Sequence, residues 1–209
     1  MQRAGASSLI LGFALVLFGQ SAWAKSPVTS VFNLSPNPKF IACLQGRGAP
    51  YAQVTVTQNE LNDDLAILVR HVKPNLAFDL FTIENTNLLP NGKVDPNFKT
   101  FGLAWYQSDI QADSFGNALT VIRSIFVNQI FGFDAGTTPP LPPTHTFHVG
   151  FWFNNPKDAQ PCGFDITKPT PFNGEQNAGP NAMISVPNAR TGLGPLCLNP
   201  SSTPGVCNP

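Results

Sequence analysis

The sequence YAQVTVTQNELNDDLAILVRHV, residues 51–72, alternates apolar and polar residues on either side of a short polar turn. One face of the first segment carries Ala52, Val54 and Val56, and one face of the second carries a similar row, Leu65, Ile67, Val69 and His71. Successive side chains of a strand point to opposite faces, so a period of two indicates antiparallel strands with one buried face. The stretch therefore predicts a β-hairpin.

The same pattern continues through residues 76–84, 99–111, 118–127 and 145–153, with turn residues between the segments. Short apolar runs at 40–44 and 183–186 could add edge strands, whereas the proline-rich 137–144 is expected to be a surface connection. The prediction is an all-β fold, an antiparallel two-sheet β-sandwich of about 6–9 strands. We expect one domain, residues 25–209, whose Pro/Gly/Asn-rich segment 155–209 packs on the sandwich.

The composition excludes several classes of protein. The chain of 209 residues has Phe 17, Trp 3 and Tyr 2, and its 12 basic residues balance its 12 acidic ones. A disordered chain would have fewer aromatic residues, and a nucleic-acid-binding protein would carry an excess of Lys and Arg. We therefore expect a folded chain with no nucleic-acid partner.

The N-terminal residues 1–24 have the pattern of an export signal. Arg3 precedes the apolar run LILGFALVLF, and Ala22-Trp23-Ala24 supplies small residues on both sides of Trp23 at the expected cleavage position. The run is too short to cross a bilayer, which takes about 20 residues, and no later run is longer. We expect a secreted or periplasmic protein without a membrane span.

The chain has four cysteines, Cys43, Cys162, Cys197 and Cys207. In an exported chain they are expected to form two disulfides, for which three pairings are possible. A turn-rich stretch separates Cys197 from Cys207 and is suited to a small closed loop. We favour that pair, which leaves Cys43 to pair with Cys162.

Copper or zinc is the strongest metal hypothesis because His71, His145 and His148 are potential ligands. Residues three apart on a regular strand point to opposite faces, so His145 and His148 converge only across a bulge. The favoured alternative places His71 and His145 at strand ends and His148 facing outward. We expect no metal and no other cofactor.

Two further patterns are weaker. Asp109, Gln111 and Asp113 alternate like calcium ligands. In a calcium loop, however, the glycine directly follows the third ligand and an acid closes the loop, whereas here Gly116 comes three residues after Asp113 and Thr120 is at the closing position. A polar strand end before a hairpin is therefore favoured. The sequence contains neither a Gly-x-Ser-x-Gly nor a His-Glu-x-x-His hydrolase motif.

The reverse faces of two strands are expected to form an aromatic shelf. Alternation assigns the opposite faces to the core, through Phe101, Leu103, Trp105, Phe147, Val149, Phe151 and Phe153. Tyr106, His148 and Trp152 then lie on the reverse side beside small residues, where aromatic rings suit a sugar or an apolar partner. The favoured alternative is that the C-terminal segment covers this shelf.

A loop rich in glycine and amides follows in the C-terminal segment. Within PFNGEQNAG, residues 171–179, Glu175 and Asn177 could line a binding site. The alternative is that these residues only shape a turn through hydrogen bonds to their own backbone.

Three segments, FGLAWYQSD (101–109), HTFHVGFWFNNPKDA (145–159) and PFNGEQNAG (171–179), resemble a family of secreted bacterial proteins to which no activity is assigned. The resemblance implies export and a bacterial source, and it supplies no catalytic residue.

We expect a non-catalytic binding module for a carbohydrate or an envelope or protein partner, with Tyr106, His148, Trp152, Glu175 and Asn177 as candidate binding residues. The alternatives are a copper- or zinc-dependent extracytoplasmic enzyme and a purely structural envelope protein.

Overall fold

The computed structural model describes residues 28–127, 147–170, 177–203 and 206–207. The predicted export signal, the proline-rich connection, His145 and Glu175 lie outside the described residues.

The described residues form eight strands, and every strand pairing is antiparallel, which confirms the predicted all-β class. The strands are β1 (Val28–Pro36), β2 (Tyr51–Gln58), β3 (Asp63–Arg70), β4 (Ala77–Ile83), β5 (Ala104–Gln111), β6 (Ala118–Ser124), β7 (His148–Phe153) and β8 (Asn181–Ser185). Helical structure is limited there to a short helix α1 (Ile41–Leu44) and two 3-10 turns, Pro156–Asp158 and Gln160–Cys162.

All eight strands belong to one sheet, in the order β5-β4-β7-β8-β1-β2-β3-β6. The predicted division into two sheets is not observed, because β1 pairs with β2 on one side and with β8 on the other and so joins the two halves by hydrogen bonds. The edge strands β5 and β6 contact each other, so the sheet is nearly closed. Strand twist accounts for this curling.

The main core lies inside the curled sheet. The alternating residues of β2 and β3 are buried there as predicted, together with Phe78 and Leu80 of β4 and with Val149, Phe151 and Phe153 of β7. Phe147 instead packs with Leu193 and the Cys197–Cys207 pair in a separate small cluster.

A second apolar cluster covers the other face of β4 and β7. It contains Phe81, Ile83, Leu88, Trp152 and Ile184, with Phe101 packed against it. The prediction that Phe101, Leu103 and Trp105 form a core face of one strand is wrong. The strand begins at Ala104, Phe101 lies in the preceding loop, Leu103 is exposed and Trp105 is only partly buried.

Two short elements differ from the predicted edge strands. Residues 41–44 are helical because the buried residues Phe40, Cys43 and Leu44 have the i, i+3, i+4 spacing of a helix face. The strand near 183–186 is β8, which lies between β7 and β1 and not at an edge. The C-terminal segment 155–209 therefore contributes an inner strand of the sheet.

Two disulfides join Cys43 to Cys162 and Cys197 to Cys207, the pairing favoured from the sequence. Disulfides are typical of an oxidising, extracytoplasmic compartment. Within the part of the chain that the structure describes, no helix has the length and apolar character needed to span a membrane.

Candidate functional site

A β-bulge in β5 brings two polar side chains together. Leu80 of β4 is opposite Ser108, but the next residue, Phe81, is opposite Tyr106, so Gln107 is an extra residue in β5. The bulge reverses the alternation and puts Tyr106 on the same face as Asp109, although the two are three residues apart. The Tyr106 hydroxyl donates a hydrogen bond of 2.8 Å to Asp109 Oδ1.

Tyr106 and Asp109 form one side of a cleft of about 570 Å³, which we call the Tyr106 cleft. Its other lining residues are Asn154, Asn155, Pro156, Lys157 and Asn177. The turn after β7 is fixed locally, because the Asn155 side chain accepts a hydrogen bond from the Lys157 backbone N–H at 3.0 Å and Pro156 occupies the first turn. Tyr106 is 49% exposed, so its ring is accessible.

Asp79 of β4 lies fully buried beneath this cleft and directly opposite Asp109 in the strand pairing. Its Oδ1 accepts a hydrogen bond of 2.8 Å from Asn154 Nδ2. Its Oδ2 is buried and has no hydrogen-bond partner among the described residues. Burial raises the pKa of Asp79, the Asn154 hydrogen bond opposes the shift, and the Asp109 charge adds to it.

The Tyr106 hydroxyl remains a hydrogen-bond donor over the physiological pH range. Burial of the hydroxyl, its hydrogen bond to Asp109 and the charges of Asp109 and Asp79 together raise the pKa of Tyr106 to about 12. The ring packs edge-on against Phe81, with 5.6 Å between centroids. The cleft thus presents a fixed phenol together with carboxylate, amide and ammonium groups.

Trp152 does not contribute to an open shelf. It is 1% exposed and lies between Phe81 and Phe101, with centroid distances of 5.4 and 5.2 Å. The loop between β4 and β5 brings Phe101 and Leu88 over this face, while Ile184 of β8 packs in the same cluster. Among the described residues, this loop and Ile184 and Val186 of the C-terminal segment pack on the shelf, so Trp152 is buried while Tyr106 is accessible.

His148 is buried, which corrects the expectation that it faces outward. It lies opposite Ile83 at the end of β4, where the second apolar cluster covers the outer face of β7, and its Nδ1 is 2.9 Å from Ser185 Oγ. Burial lowers the pKa of His148 to about 4, against a smaller opposing effect of a hydrogen bond to the Ser185 backbone.

The structure does not bring His71 and His148 together. His71 follows β3, before the start of β4, and its Nδ1 is 3.2 Å from the Ala49 carbonyl oxygen. His71 precedes the first residue of β4, whereas His148 is opposite its last residue, Ile83. Among the described residues, no group of three or more His, Cys, Asp or Glu is placed to hold a metal ion.

Gln111 and Asp113 serve structural roles. Asp113 Oδ1 accepts hydrogen bonds from the backbone N–H groups of Phe115 and Asn117 in the hairpin, while the Gln111 amide donates to the backbone around Leu76. Of the binding residues predicted from the sequence, Asn177 joins Tyr106 in the cleft.

Sequence reasoning missed Asp79, Asn154 and Lys157. Asp79 is the single charged residue within the mostly apolar run LAFDLFTI, 76–83. A lone acid in such a run is a sequence signal for a buried carboxyl group with a specific role.

No protein-family model matches the chain, and no curated protein matches it. The proposed function therefore depends on the geometry of the cleft.

Proposed function

We propose that the chain is an exported, non-catalytic module that binds a carbohydrate in the Tyr106 cleft. The proposal rests on one observation: an accessible aromatic ring lines the same concave surface as carboxylate and amide side chains.

Sugar hydroxyls both donate and accept hydrogen bonds, so they are recognised by groups that do one or the other at fixed positions. Asp109 supplies acceptors, Lys157 supplies donors, and the amides of Asn154 and Asn155 belong to the same lining. A lining dominated by such groups fits a hydroxylated ligand better than an apolar one.

The Tyr106 ring supplies the apolar surface that a sugar ring needs. Its contact with Phe81 and its hydrogen bond to Asp109 hold both ends of the side chain. A held side chain loses little conformational entropy on binding, which favours affinity.

Export and a bacterial source are part of the proposal. The two disulfides support an oxidising compartment. The export signal at residues 1–24 and the resemblance to secreted bacterial proteins are expectations from the sequence.

The test is Tyr106→Ala, with Phe115→Ala as the matched control because Phe115 is an exposed aromatic residue in the hairpin, away from the cleft lining. The disulfide-bonded chain is screened against a glycan array, and a glycan that binds is titrated by calorimetry. We expect Tyr106→Ala to weaken binding about tenfold or more, through loss of ring contact, and Phe115→Ala to leave it unchanged. Absence of any glycan ligand, or equal loss in both variants, would contradict the proposal.

A protein or envelope partner is the second candidate, favoured by the outer face of β1, β2, β3 and β6. One cross-strand row there, Val31-Thr55-Ala66-Val121, includes Val31 and Val121 at 56% and 63% exposure, and neighbouring Leu119 is 67% exposed. Exposed apolar side chains grouped on one face are typical of protein interfaces. If this candidate is right, the wild type binds no glycan, and Val121→Lys abolishes its binding to the protein partner.

A further inference from the structure

The cross-strand pair Asp79–Asp109 places two acidic side chains next to each other, which is electrostatically unfavourable when both are ionised. The two residues are directly opposite on the antiparallel strands β4 and β5, and they share a face of the sheet. Directly opposed residues have Cβ atoms about 5 Å apart, and like charges at such positions destabilise a sheet. A cation close to both carboxylates would relieve this repulsion.

No basic side chain within the described ranges does so. The ion pairs found there join Arg123 to Asp64 and Lys168 to Asp165. Lys157 lines the cleft, but in this part of the chain it forms no ion pair with either aspartate.

The second observation is the buried oxygen of Asp79. The side chain is fully buried, and Oδ2 has no hydrogen-bond partner among the residues described. Asn154, which lines the cleft, holds the other carboxyl oxygen, so Asp79 lies immediately behind the cleft wall. Buried polar atoms without partners are rare in folded proteins, and a bound ion can supply the missing partner.

We propose that Asp79, Asp109 and Asn154 form a site for a calcium ion at the base of the Tyr106 cleft. Carboxylate and amide oxygens are the ligands that calcium prefers, and the site has neither a thiolate nor an imidazole to favour zinc or copper. Asp79 contributes the unpartnered Oδ2 and Asp109 contributes its carboxylate. Asn154, whose Nδ2 holds the other oxygen of Asp79, would supply its amide oxygen as the third protein ligand. Water in the cleft completes the coordination.

The number of protein ligands sets the expected affinity. Calcium takes six to eight oxygen ligands, and a site with only a few protein oxygens binds at roughly 10⁻⁴–10⁻³ M, the range of extracellular modules.

Isothermal titration of the metal-free, disulfide-bonded chain with calcium chloride tests the site. We expect one saturable site in the wild type, at least a tenfold weaker site in Asp109→Asn, and no change in Glu60→Gln. Glu60 is an exposed acid in the turn between β2 and β3, so it controls for nonspecific loss of charge. Circular dichroism establishes that each variant is folded.

Asp79→Asn is the second variant, because it removes the buried charge while leaving an oxygen that can accept from Asn154. It is expected to lose calcium binding and remain folded. Saturable binding that survives both aspartate substitutions places the ion elsewhere and overturns the proposal. The proposal is also overturned if binding does not saturate up to about 10 mM calcium, which is ten times the highest dissociation constant expected. In that case a proton neutralises the pair.

The inference does not depend on the proposed function, because the probe is the metal alone. Repeating the glycan titration with calcium and with a chelator separates the two. If the wild type binds a glycan but no calcium, only the cation site is refuted. If it binds calcium but no glycan, only the proposed function is refuted.

Discussion

At the scale of the residue, burial shifts the pKa of two side chains towards their neutral forms at opposite ends of β4. Asp79 lies near the start of the strand, where its pKa is raised, and His148 lies opposite its last residue, where its pKa falls to about 4. The two shifts have opposite consequences for stability. Ionisation of Asp79 penalises the folded state as pH rises, whereas protonation of His148 penalises it as pH falls.

The His148 shift predicts acid destabilisation. Its pKa in the folded state, about 4, lies below the unfolded value of 6.5, so the unfolded chain binds the proton first. The stabilisation is complete above pH 6.5 and is lost as pH falls towards 4, by about 3 kcal/mol. Urea unfolding at pH 7 and pH 4 should show this loss in the wild type but not in His148→Asn.

His71→Asn is the control for this experiment. His71 is the exposed histidine at φ +61°, a conformation that asparagine tolerates, so this variant should keep the full pH dependence. An unshifted His148 ring in an NMR pH titration of the wild type would contradict the prediction independently of any variant.

At the scale of the element, alternation predicted well where a strand has one buried face and one exposed face. β2 and β3 follow it throughout. It failed at the start of β5 because Phe101 and Leu103 precede the strand, which begins at Ala104. Strict alternation would also separate Tyr106 from Asp109, which the bulge at Gln107 puts on one face, and a bulge has no period that a sequence pattern reveals. It failed for the shelf because both faces of β7 are buried, the second by a loop whose position depends on tertiary packing.

The hairpin between β5 and β6 was predicted from DSFGN, and its glycine is fixed by a neighbouring element. Gly116 has φ +79°, and a Cβ there would overlap the carbonyl oxygen of Val72, which lies between β3 and β4. Gly192 has φ +71° and no atom near the Cβ position. Gly116→Ala should therefore cost about 3 kcal/mol or more, and Gly192→Ala about 1–2 kcal/mol from backbone strain alone.

Thermal or urea unfolding of the two glycine variants measures the difference. Equal destabilisation would mean that the Val72 segment shifts to make room for the added Cβ.

At the scale of the whole molecule, the sheet depends on pairings between distant parts of the chain. β1 pairs with β8 through Leu34 and Ser185, and β4 pairs with β7. The Tyr106 cleft is itself assembled from β5, the turn after β7 and Asn177. Local sequence patterns predict strands, but they do not predict the register of two strands joined by a connection as long as 84–103, so the opposition of Asp79 and Asp109 could not be recognised.

The disulfides should differ in their effect on this long-range architecture. Cys43–Cys162 spans 119 residues and links α1 to the turn after β7, whereas Cys197–Cys207 spans 10 residues. Because a cross-link reduces the entropy of the unfolded chain more when it closes a longer loop, removing the first should cost about 5 kcal/mol and the second about 3 kcal/mol. The measurement is urea unfolding of the two paired Cys→Ala variants. An equal or reversed order would show that the unfolded chain already keeps α1 close to the turn after β7, so that the long cross-link restricts little.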